Sequence, residues 1–256
     1  TEAMLKLTPL AESKRTLQAI YGDMRSATRA VSAIMAQPVI PCALEFMDSS
    51  AIRMVKDYAD PGLPEQAAAL LMIEVDGSGD AVDQAAAKVA AVANTAGCLA
   101  VETAATGEQV AQLWRTRKAL SPALRNIAPK KINEDVVVPV SRIPELIEGL
   151  EQLSASSGIP IVNFGHAGNG NIHVNLLINP DDPKQMAAAD DCLDEVFGLV
   201  LRLQGTLSGE HGIGMVKRNH IRQELDPTGL QLMRDIKRQF DPNNILNPGK
   251  SLPDGD

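Results

Sequence analysis

Strand-like and helix-like apolar patterns follow one another in the same order twice along this chain. From about residue 10 to 104, and again from about 131 to 207, the order is strand, helix, strand, strand, helix, strand. Apolar periodicity distinguishes the two kinds of segment, and this order is typical of the split βαβ unit. We therefore predict an α+β fold of two ferredoxin-like βαββαβ halves with antiparallel sheet covered by helices, plus a C-terminal helical segment.

The first half divides into elements by its apolar spacing and its turn residues. Its predicted strands are 16–21, 39–47, 69–75 and 98–103. Its predicted helices are 23–37 and 81–96, the second of them Ala-rich and stopped by Gly97, and an additional short helix at 50–58 lies between the second and third strands. A longer helix, about 107–126, carries Trp114 and leads into the second half.

The second half repeats this plan. Its predicted strands are 135–140, 159–165 and 171–178, with a short last strand at 205–207. One predicted helix has a capped start at Ser141 and Glu145 and ends near Ser157, and another spans 181–203. The two halves could share one sheet or stack two sheets.

The charge and composition of the chain limit its partners. It carries 24 Lys and Arg against 32 Asp and Glu, a net charge of −8, with one Trp, two Tyr and four Phe. Nucleic acids and anionic membranes attract basic surfaces, and base stacking needs aromatic side chains, so we expect neither partner. No apolar run reaches the roughly 18 to 20 residues that span a bilayer, so we expect no transmembrane segment. The widely spaced Cys42, Cys98 and Cys192 predict a reducing, cytoplasmic location.

The segment 163–175 holds two of the four histidines of the chain. His166 and His173 flank a turn that contains Gly165, Gly168 and Gly170. A hairpin at this turn would bring the two imidazoles together, and paired imidazoles can ligate a divalent metal. The alternative is a tight hairpin whose histidines are exposed or are hydrogen-bonded in the core.

A second Gly-rich segment, 208–214, contains Glu210 and His211 side by side. Adjacent side chains point to opposite sides of an extended backbone, so one could bind a metal while the other faces a substrate. Glu210 with His166 and His173 would form a set of two histidines and one carboxylate with open coordination positions. The alternative is a turn with an exposed Glu–His pair.

Six stretches of the sequence resemble the C-terminal half of FAD-linked 2-hydroxyacid dehydrogenases. This family includes D-lactate dehydrogenases, glycolate oxidase flavin subunits and D-2-hydroxyglutarate dehydrogenases. The stretches run in the family's order over almost the whole chain. They are ALEFMD (43–48), LWRTR (113–117), EDVVVP (134–139), FGHAGNGNIH (164–173), SGEHGIG (208–214) and DPNNILNPGK (241–250).

The resemblance implies a metal and a base. His166, His173 and Glu210 would hold a divalent metal, commonly zinc, that binds the 2-hydroxyl and a carboxylate oxygen of the substrate. His211 would take the hydroxyl proton while hydride leaves C2 for flavin N5, and Asn175 would lie near the substrate. A Lewis acid next to a neutral imidazole is a coherent arrangement for this chemistry.

The resemblance also implies contacts with the substrate carboxylate and with the flavin. Arg117 would bind the substrate carboxylate, and Ser121, one helical turn later, stands where some relatives carry Thr. Arg117 could instead lie on a solvated helix face. Asn247 would approach the isoalloxazine ring, although its sequence surroundings also fit a structural C-terminal turn. Some relatives carry a substrate-binding Lys at the position that is Asn133 in this chain.

The resemblance divides the chain and implies partners. Residues 1–204 would form the substrate or cap domain, and residues 205–256 a C-terminal helical segment that packs toward the flavin site. The sequence contains no Gly-x-Gly-x-x-Gly dinucleotide fingerprint. We therefore expect this chain to be a fragment of a longer protein, to lack the N-terminal FAD-binding domain, to retain no FAD and to be inactive alone.

Two classes of function follow from these patterns. The first is an FAD-dependent dehydrogenase that acts on a small 2-hydroxycarboxylate and passes electrons to an unknown acceptor. Such an enzyme would be cytoplasmic or peripheral to a membrane, with a homodimer as a candidate assembly. The alternative is a stand-alone metal-binding module or metallohydrolase that uses His166, His173 and Glu210 to activate water.

Overall fold

The computed structural model describes residues 2–59 and 62–253. Its strands are β1 Ser13–Tyr21, β2 Ala43–Met47, β3 Ala69–Gly77, β4 Cys98–Thr103, β5 Lys130–Val137, β6 Ile161–His166 and β7 Asn171–Ile178. Its α-helices are α1 Met24–Ala36, α2 Ser49–Ala59, α3 Gly79–Ala93, α4 Gly107–Ile127, α5 Ile143–Ser157, α6 Pro183–Arg202 and α7 Pro227–Phe240. Short 3₁₀ turns lie at Val140–Arg142, Ala167–Asn169 and His220–Gln223.

All seven strands form one antiparallel sheet in the order β4-β1-β3-β2-β6-β7-β5. The first half contributes β4-β1-β3-β2, which is the ferredoxin-like order. The second half contributes the mirrored order β6-β7-β5, and Thr206 adds an isolated bridge to Val137 where a fourth strand would lie. The α+β prediction with two ferredoxin-like halves is therefore confirmed, and the halves share one sheet through the β2–β6 pair.

The two faces of the sheet are covered differently. Helices α1, α3, α5 and α6 cover one face and enclose the larger hydrophobic core. On the other face α2 and α4 enclose a smaller core against β1, β2, β3 and β6. Near β5, β6 and β7 this second face carries polar side chains, and the candidate functional residues lie there.

Strand alternation in β7 assigns side chains to the two faces. Ile172, Val174 and Leu176 belong to the larger core, whereas His173 and Asn175 point to the opposite face. A one-residue shift in register would bury the polar residues in the larger core, so the apolar set fixes the register.

Local capping explains where several helices begin. Asp23 accepts the backbone N–H of Ser26 at the start of α1, and Thr106 forms a reciprocal capping box with Gln109 at the start of α4. The predicted cap of α5 by Ser141 is wrong. A 3₁₀ turn follows Pro139, so α5 does not start until Ile143 and has no side-chain cap.

The boundaries of β5 differ from the prediction. This strand begins at Lys130 and ends at Val137, because Lys130 to Val137 pair continuously with β7 and Pro139 ends the ladder. The predicted last strand at 205–207 is reduced to the single bridge of Thr206.

The C-terminal part after Thr206 is mostly irregular apart from α7, and it returns to the sheet near β5. The predicted boundary between residues 204 and 205 stays a prediction. Of the helices in the described ranges, none combines the length and the apolar character that a bilayer crossing requires.

Candidate functional site

The site lies where the two halves of the sheet meet. In the register, Glu45 of β2 is opposite His166 of β6, and His173 of β7 is opposite both Phe164 and Asp135. Directly opposed residues of an antiparallel pair point to the same face. Strand pairing therefore places these side chains on one surface.

The three predicted metal ligands come together on this surface. The Oε1 atom of Glu210 lies 3.8 Å from Nε2 of His166 and 3.6 Å from Nε2 of His173. Each of the three residues offers one ligand atom, and these atoms all lie within 4.8 Å of one another. The two imidazole rings are edge to face, with centroids 5.4 Å apart.

His173 is a buried imidazole, and its Nδ1 has no hydrogen-bond partner in the part of the chain that the structure describes. Burial, together with the nearby His166 and Arg117, lowers the pKa of His173 to about 4. The ring is therefore neutral at physiological pH and carries a lone pair, as a metal ligand must.

His166 is held by an acidic partner. Its Nδ1 lies 2.5 Å from Oε1 of Glu45, and this hydrogen bond raises the pKa of His166 against the effect of burial. Burial favours the protonated form of Glu45, but the bonds from His166 and Arg117 outweigh it and lower the pKa of the carboxyl. Glu45 is therefore an ionised, buried carboxylate.

The donor set fits a divalent transition metal. Two imidazole nitrogens and one carboxylate oxygen suit zinc, and ligands at about 2.0–2.1 Å from a tetrahedral ion are about 3.4 Å apart. The measured separations from Glu210, 3.6 and 3.8 Å, are near that value. Glu45 supplies the carboxylate that accompanies a metal-ligating histidine.

Asp135 shapes the loop that carries Glu210. Its Oδ2 accepts the backbone N–H groups of Gly209, Glu210 and His211 at 2.9, 2.5 and 2.9 Å. Burial raises the pKa of Asp135, but the Lys217 ammonium and these backbone bonds outweigh burial and lower the pKa to about 2. The loop is thus wrapped around a buried anion.

The prediction that Glu210 and His211 point to opposite sides of the backbone is wrong. The backbone at 209–211 is curled around Asp135 instead of extended, so alternation does not apply. Nε2 of His211 lies 3.8 Å from Oε1 of Glu210. Both side chains therefore reach the same side.

His211 has the surroundings expected of a proton acceptor. Its Nδ1 lies 3.5 Å from Oδ1 of Asp135, and its ring stacks on His173 with centroids 5.4 Å apart. Its side chain is 44% exposed, so part of the imidazole ring is open to a small molecule. An imidazole with a carboxylate on one nitrogen and an open second nitrogen can act as a general base.

Arg117 lies on α4 above the same surface. Its Nε donates to Oε2 of Glu45 at 2.7 Å, and its guanidinium lies 5.0 Å from the centre of the Phe164 ring. The side chain is 14% exposed, so the alternative of a solvated helix face is wrong. Within the described residues its terminal amino groups have no hydrogen-bond partner, which leaves them available to an anion.

Three further predicted residues, Asn175, Ser121 and Asn247, are not part of this cluster in the described chain. Asn175 has no exposed surface, because its amide donates to the carbonyls of Val162 and His173 and accepts from Asn133. The predicted place of Asn175 near the substrate stays a prediction. The side chain of Ser121 lies outside the described residues. Asn247 is exposed in the C-terminal turn, with φ of 47°, and has no contact with the three ligands in the described chain.

Glu45 and Asp135 are the functional residues that sequence reasoning left without a role. Glu45 has apolar neighbours in β2, Asp135 precedes two valines in β5, and both carboxylates are buried. That signal, a carboxylate at a core position, indicates a charged partner nearby, because a buried charge needs one.

The Gly-rich turn between the two histidines is not a dinucleotide-binding loop. The Gly-rich turn Ala167–Asn169 leads into strand β7, not into a helix N-terminus that could receive a pyrophosphate. This turn therefore lacks the helix N-terminus that a pyrophosphate would need.

Comparison with known proteins finds one matching family model and several relatives. Residues 10–251 match the family model described as FAD linked oxidases, C-terminal domain. The glycolate oxidase subunit GlcD of Bacillus subtilis is 37% identical over 250 residues, which are 98% of this chain and 53% of that protein. GlcD of Escherichia coli K12 is 32% identical over 253 residues, or 99% and 51%. A probable mitochondrial D-lactate dehydrogenase of Danio rerio is 28% identical over 254 residues, or 98% and 51%.

Solved structures share the fold at low sequence identity. p-Cresol methylhydroxylase with substrate bound aligns with a TM-score of 0.76 at 17% identity, over 96% of this chain and 54% of that one. 4-Ethylphenol oxidase from Gulosibacter chungangensis aligns with a TM-score of 0.72 at 16% identity, over 98% and 56%. The chain spans about half the length of the curated relatives it matches.

Proposed function

This chain belongs to the family of C-terminal domains of FAD-linked oxidases, and on that premise we propose that it is the substrate- and metal-binding domain of an FAD-dependent 2-hydroxyacid dehydrogenase. The substrate class is a D-2-hydroxyacid such as lactate, glycolate or 2-hydroxyglutarate, and the product is the 2-oxoacid. The observation that carries the proposal is the convergence of His166, His173 and Glu210 beside Arg117.

His166, His173 and Glu210 would hold a divalent cation, most simply zinc. When bound, the cation would supply Lewis-acid polarisation of the substrate hydroxyl, and FAD would supply a two-electron acceptor. The three ligands leave open coordination positions for a hydroxyl and a carboxylate oxygen.

Arg117 would bind and orient the substrate carboxylate. Its Nε is fixed by Glu45, so the planar fork presents the remaining amino groups in one direction. Phe164 below the guanidinium shields that contact from water.

His211 would accept the hydroxyl proton at Nε2. Asp135 lies next to its other nitrogen and stabilises the imidazolium that forms. The hydroxyl proton would thus go to a side chain whose Nε2 lies 3.8 Å from Oε1 of Glu210.

FAD would be held by a domain other than the residues described here, since those residues offer no phosphate loop. We expect the 256-residue chain alone to retain no flavin. The dehydrogenase would then consist of this domain, an N-terminal FAD-binding domain and an electron acceptor.

The first test is metal stoichiometry by elemental analysis. We expect purified wild-type protein to take up one equivalent of zinc and His173→Ala to lose it. His220→Ala is the matched control, because His220 is bonded to Asp194 away from the three ligands. Equal zinc content in wild type and His173→Ala would reject the ligand set.

The second test addresses the reaction. In a flavin-loaded enzyme that contains this domain, we expect glycolate or D-lactate to bleach the flavin absorbance anaerobically. Zinc binding by this domain without any bleaching across a panel of 2-hydroxyacids would reject oxidation and favour the metallohydrolase alternative.

A further inference from the structure

One buried carboxylate contacts both the predicted anion-binding side chain and a predicted metal ligand. Oε1 of Glu45 lies 2.5 Å from Nδ1 of His166, and Oε2 lies 2.7 Å from Nε of Arg117. Glu45 itself is 5% exposed. Each oxygen therefore serves a different functional group.

We infer that Glu45 is a positioning residue that orients the metal ligand His166 and the carboxylate-binding Arg117 at the same time. The inference rests on the proposed function and assigns to it a residue to which neither the sequence motifs nor the comparisons give a role. The position of Glu45 in the middle of a paired strand supports this inference. Glu45 lies within β2, paired to His166 on one side and to Met72 on the other.

The contact determines which nitrogen of His166 can bind a metal. An ionised carboxylate carries no proton, so Nδ1 of His166 must donate in this bond. In the neutral ring the lone pair is then on Nε2, the atom that faces Glu210 at 3.8 Å. Glu45 thus holds His166 in the tautomer that metal binding requires.

The Glu45 carboxylate also fixes the orientation of the Arg117 guanidinium. Nε of Arg117 is used by Glu45, and the side chain is held over Phe164. Because the guanidinium is planar, fixing Nε also fixes the plane in which the two terminal amino groups lie.

Only a side chain with two acceptor atoms can accept hydrogen bonds from both His166 and Arg117. In Glu45→Gln, the amide oxygen can face either His166 or Arg117, and the NH₂ group then meets the other donor. If the NH₂ faces His166, it favours the wrong tautomer; if it faces Arg117, two donors oppose each other. Either orientation disturbs one of the two functions.

The test compares zinc and anion binding in Glu45→Gln with wild type. The matched control is Glu74→Gln, since Glu74 is also buried on this face and accepts bonds from Thr16 and Trp114 instead. Zinc affinity is measured by competition with a chromogenic chelator, and glycolate affinity by calorimetry on the zinc-loaded protein. We expect Glu45→Gln to weaken zinc binding roughly 10- to 100-fold and to weaken glycolate binding, with Glu74→Gln unchanged in both.

A spectroscopic measurement on wild type does not depend on the stability of the variant. Nitrogen NMR of the metal-free protein at alkaline pH should show the proton of His166 on Nδ1. A proton on Nε2, or zinc and glycolate affinities in Glu45→Gln equal to wild type, would overturn the role of Glu45. Failure of wild type itself to bind zinc would instead overturn the proposed function and, with it, this inference.

Discussion

The carboxylate of Asp135, on strand β5, accepts the backbone N–H of Glu210 at 2.5 Å, 75 residues later in the chain. The N–H groups of Gly209 and His211 point to the same oxygen. Asp135 also pairs with Lys217, which is 3% exposed, and Glu134 lies 3.4 Å from the same ammonium. The position of the Glu210 loop thus depends on a buried charge in the sheet.

Asp135→Asn should therefore destabilise the protein strongly. It removes one charge from the buried pair with Lys217 and sets an NH₂ group against either the backbone N–H donors or the Lys217 ammonium, so we expect a loss of roughly 3–5 kcal/mol in the free energy of unfolding. Denaturant titration measures this loss. Asp83→Asn is the control, because its ion pair with Arg15 is exposed and should be worth about 1 kcal/mol or less.

A double variant separates the charge effect from general disruption. In Asp135→Asn combined with Lys217→Met, the ammonium that is left with Glu134 alone, at 3.4 Å, is removed. Part of the lost stability should return. The explanation would be contradicted if the double variant lost more free energy of unfolding than the two single variants lose together.

The sequence predicted which residues assemble but not how they are supported. The Gly-rich turn and the spacing of His166 and His173 sufficed to predict the hairpin, with facing imidazoles as one of two alternatives, because strand alternation and turn chemistry are local. The match of β7 to its predicted bounds has the same origin: apolar residues at every second position fix both its extent and its faces.

Other features depended on pairing between distant segments. The partner of Glu45 is set by the β2–β6 register, and the curl of 209–211 is set by Asp135. Neither can be derived from local periodicity. The reduced last strand at Thr206 is a similar case, since the loop turns toward Asp135 after one bridge.

Arg117→Lys should weaken binding of a 2-hydroxycarboxylate to the zinc-loaded protein. Lysine keeps the charge but loses the planar fork, and the loss of a charged hydrogen bond costs roughly 1.5–3 kcal/mol, or about 10- to 150-fold in affinity. Calorimetric titration with glycolate and D-lactate measures it. Arg115→Lys, on the same helix but bonded to Gln112, is the control and should bind like wild type.

Gly170→Ala should destabilise the turn between the two histidines. Gly170 has a φ of +75°, and a Cβ there would clash with the carbonyl oxygen of Val138. The left-handed backbone alone costs a side chain roughly 1–2 kcal/mol, and the clash adds to it.

Gly158 provides the matched control for this change. It has a similar φ of +70°, but the position that a Cβ would occupy is surrounded by open space. Gly158→Ala should therefore show only the backbone cost in denaturant unfolding. Equal losses of stability for the two variants would mean that the contact with Val138 relaxes without cost.

Asp48 should make stability depend on pH in the range between its pKa in the unfolded chain and its pKa in the folded protein. Burial raises the pKa of Asp48 to about 6 from its ordinary 3.8, although Ala51 and Asn163 donate hydrogen bonds to it. The folded state therefore holds the proton in a range where the unfolded chain has released it. Through this group, the free energy of unfolding falls as pH rises through that range, by about 3 kcal/mol in total.

Asp48→Asn isolates this contribution, because asparagine does not titrate and keeps one acceptor for the start of α2. At about pH 4 we expect the variant to be less stable than wild type. Between about pH 4 and about pH 7 the difference in the free energy of unfolding should shift by about 3 kcal/mol in favour of the variant. Unfolding measured across this range tests the difference between the two proteins, in which the other acids cancel. A difference that stays constant with pH would show that the hydrogen bonds from Ala51 and Asn163, together with the N-terminus of α2, keep the Asp48 carboxylate ionised throughout.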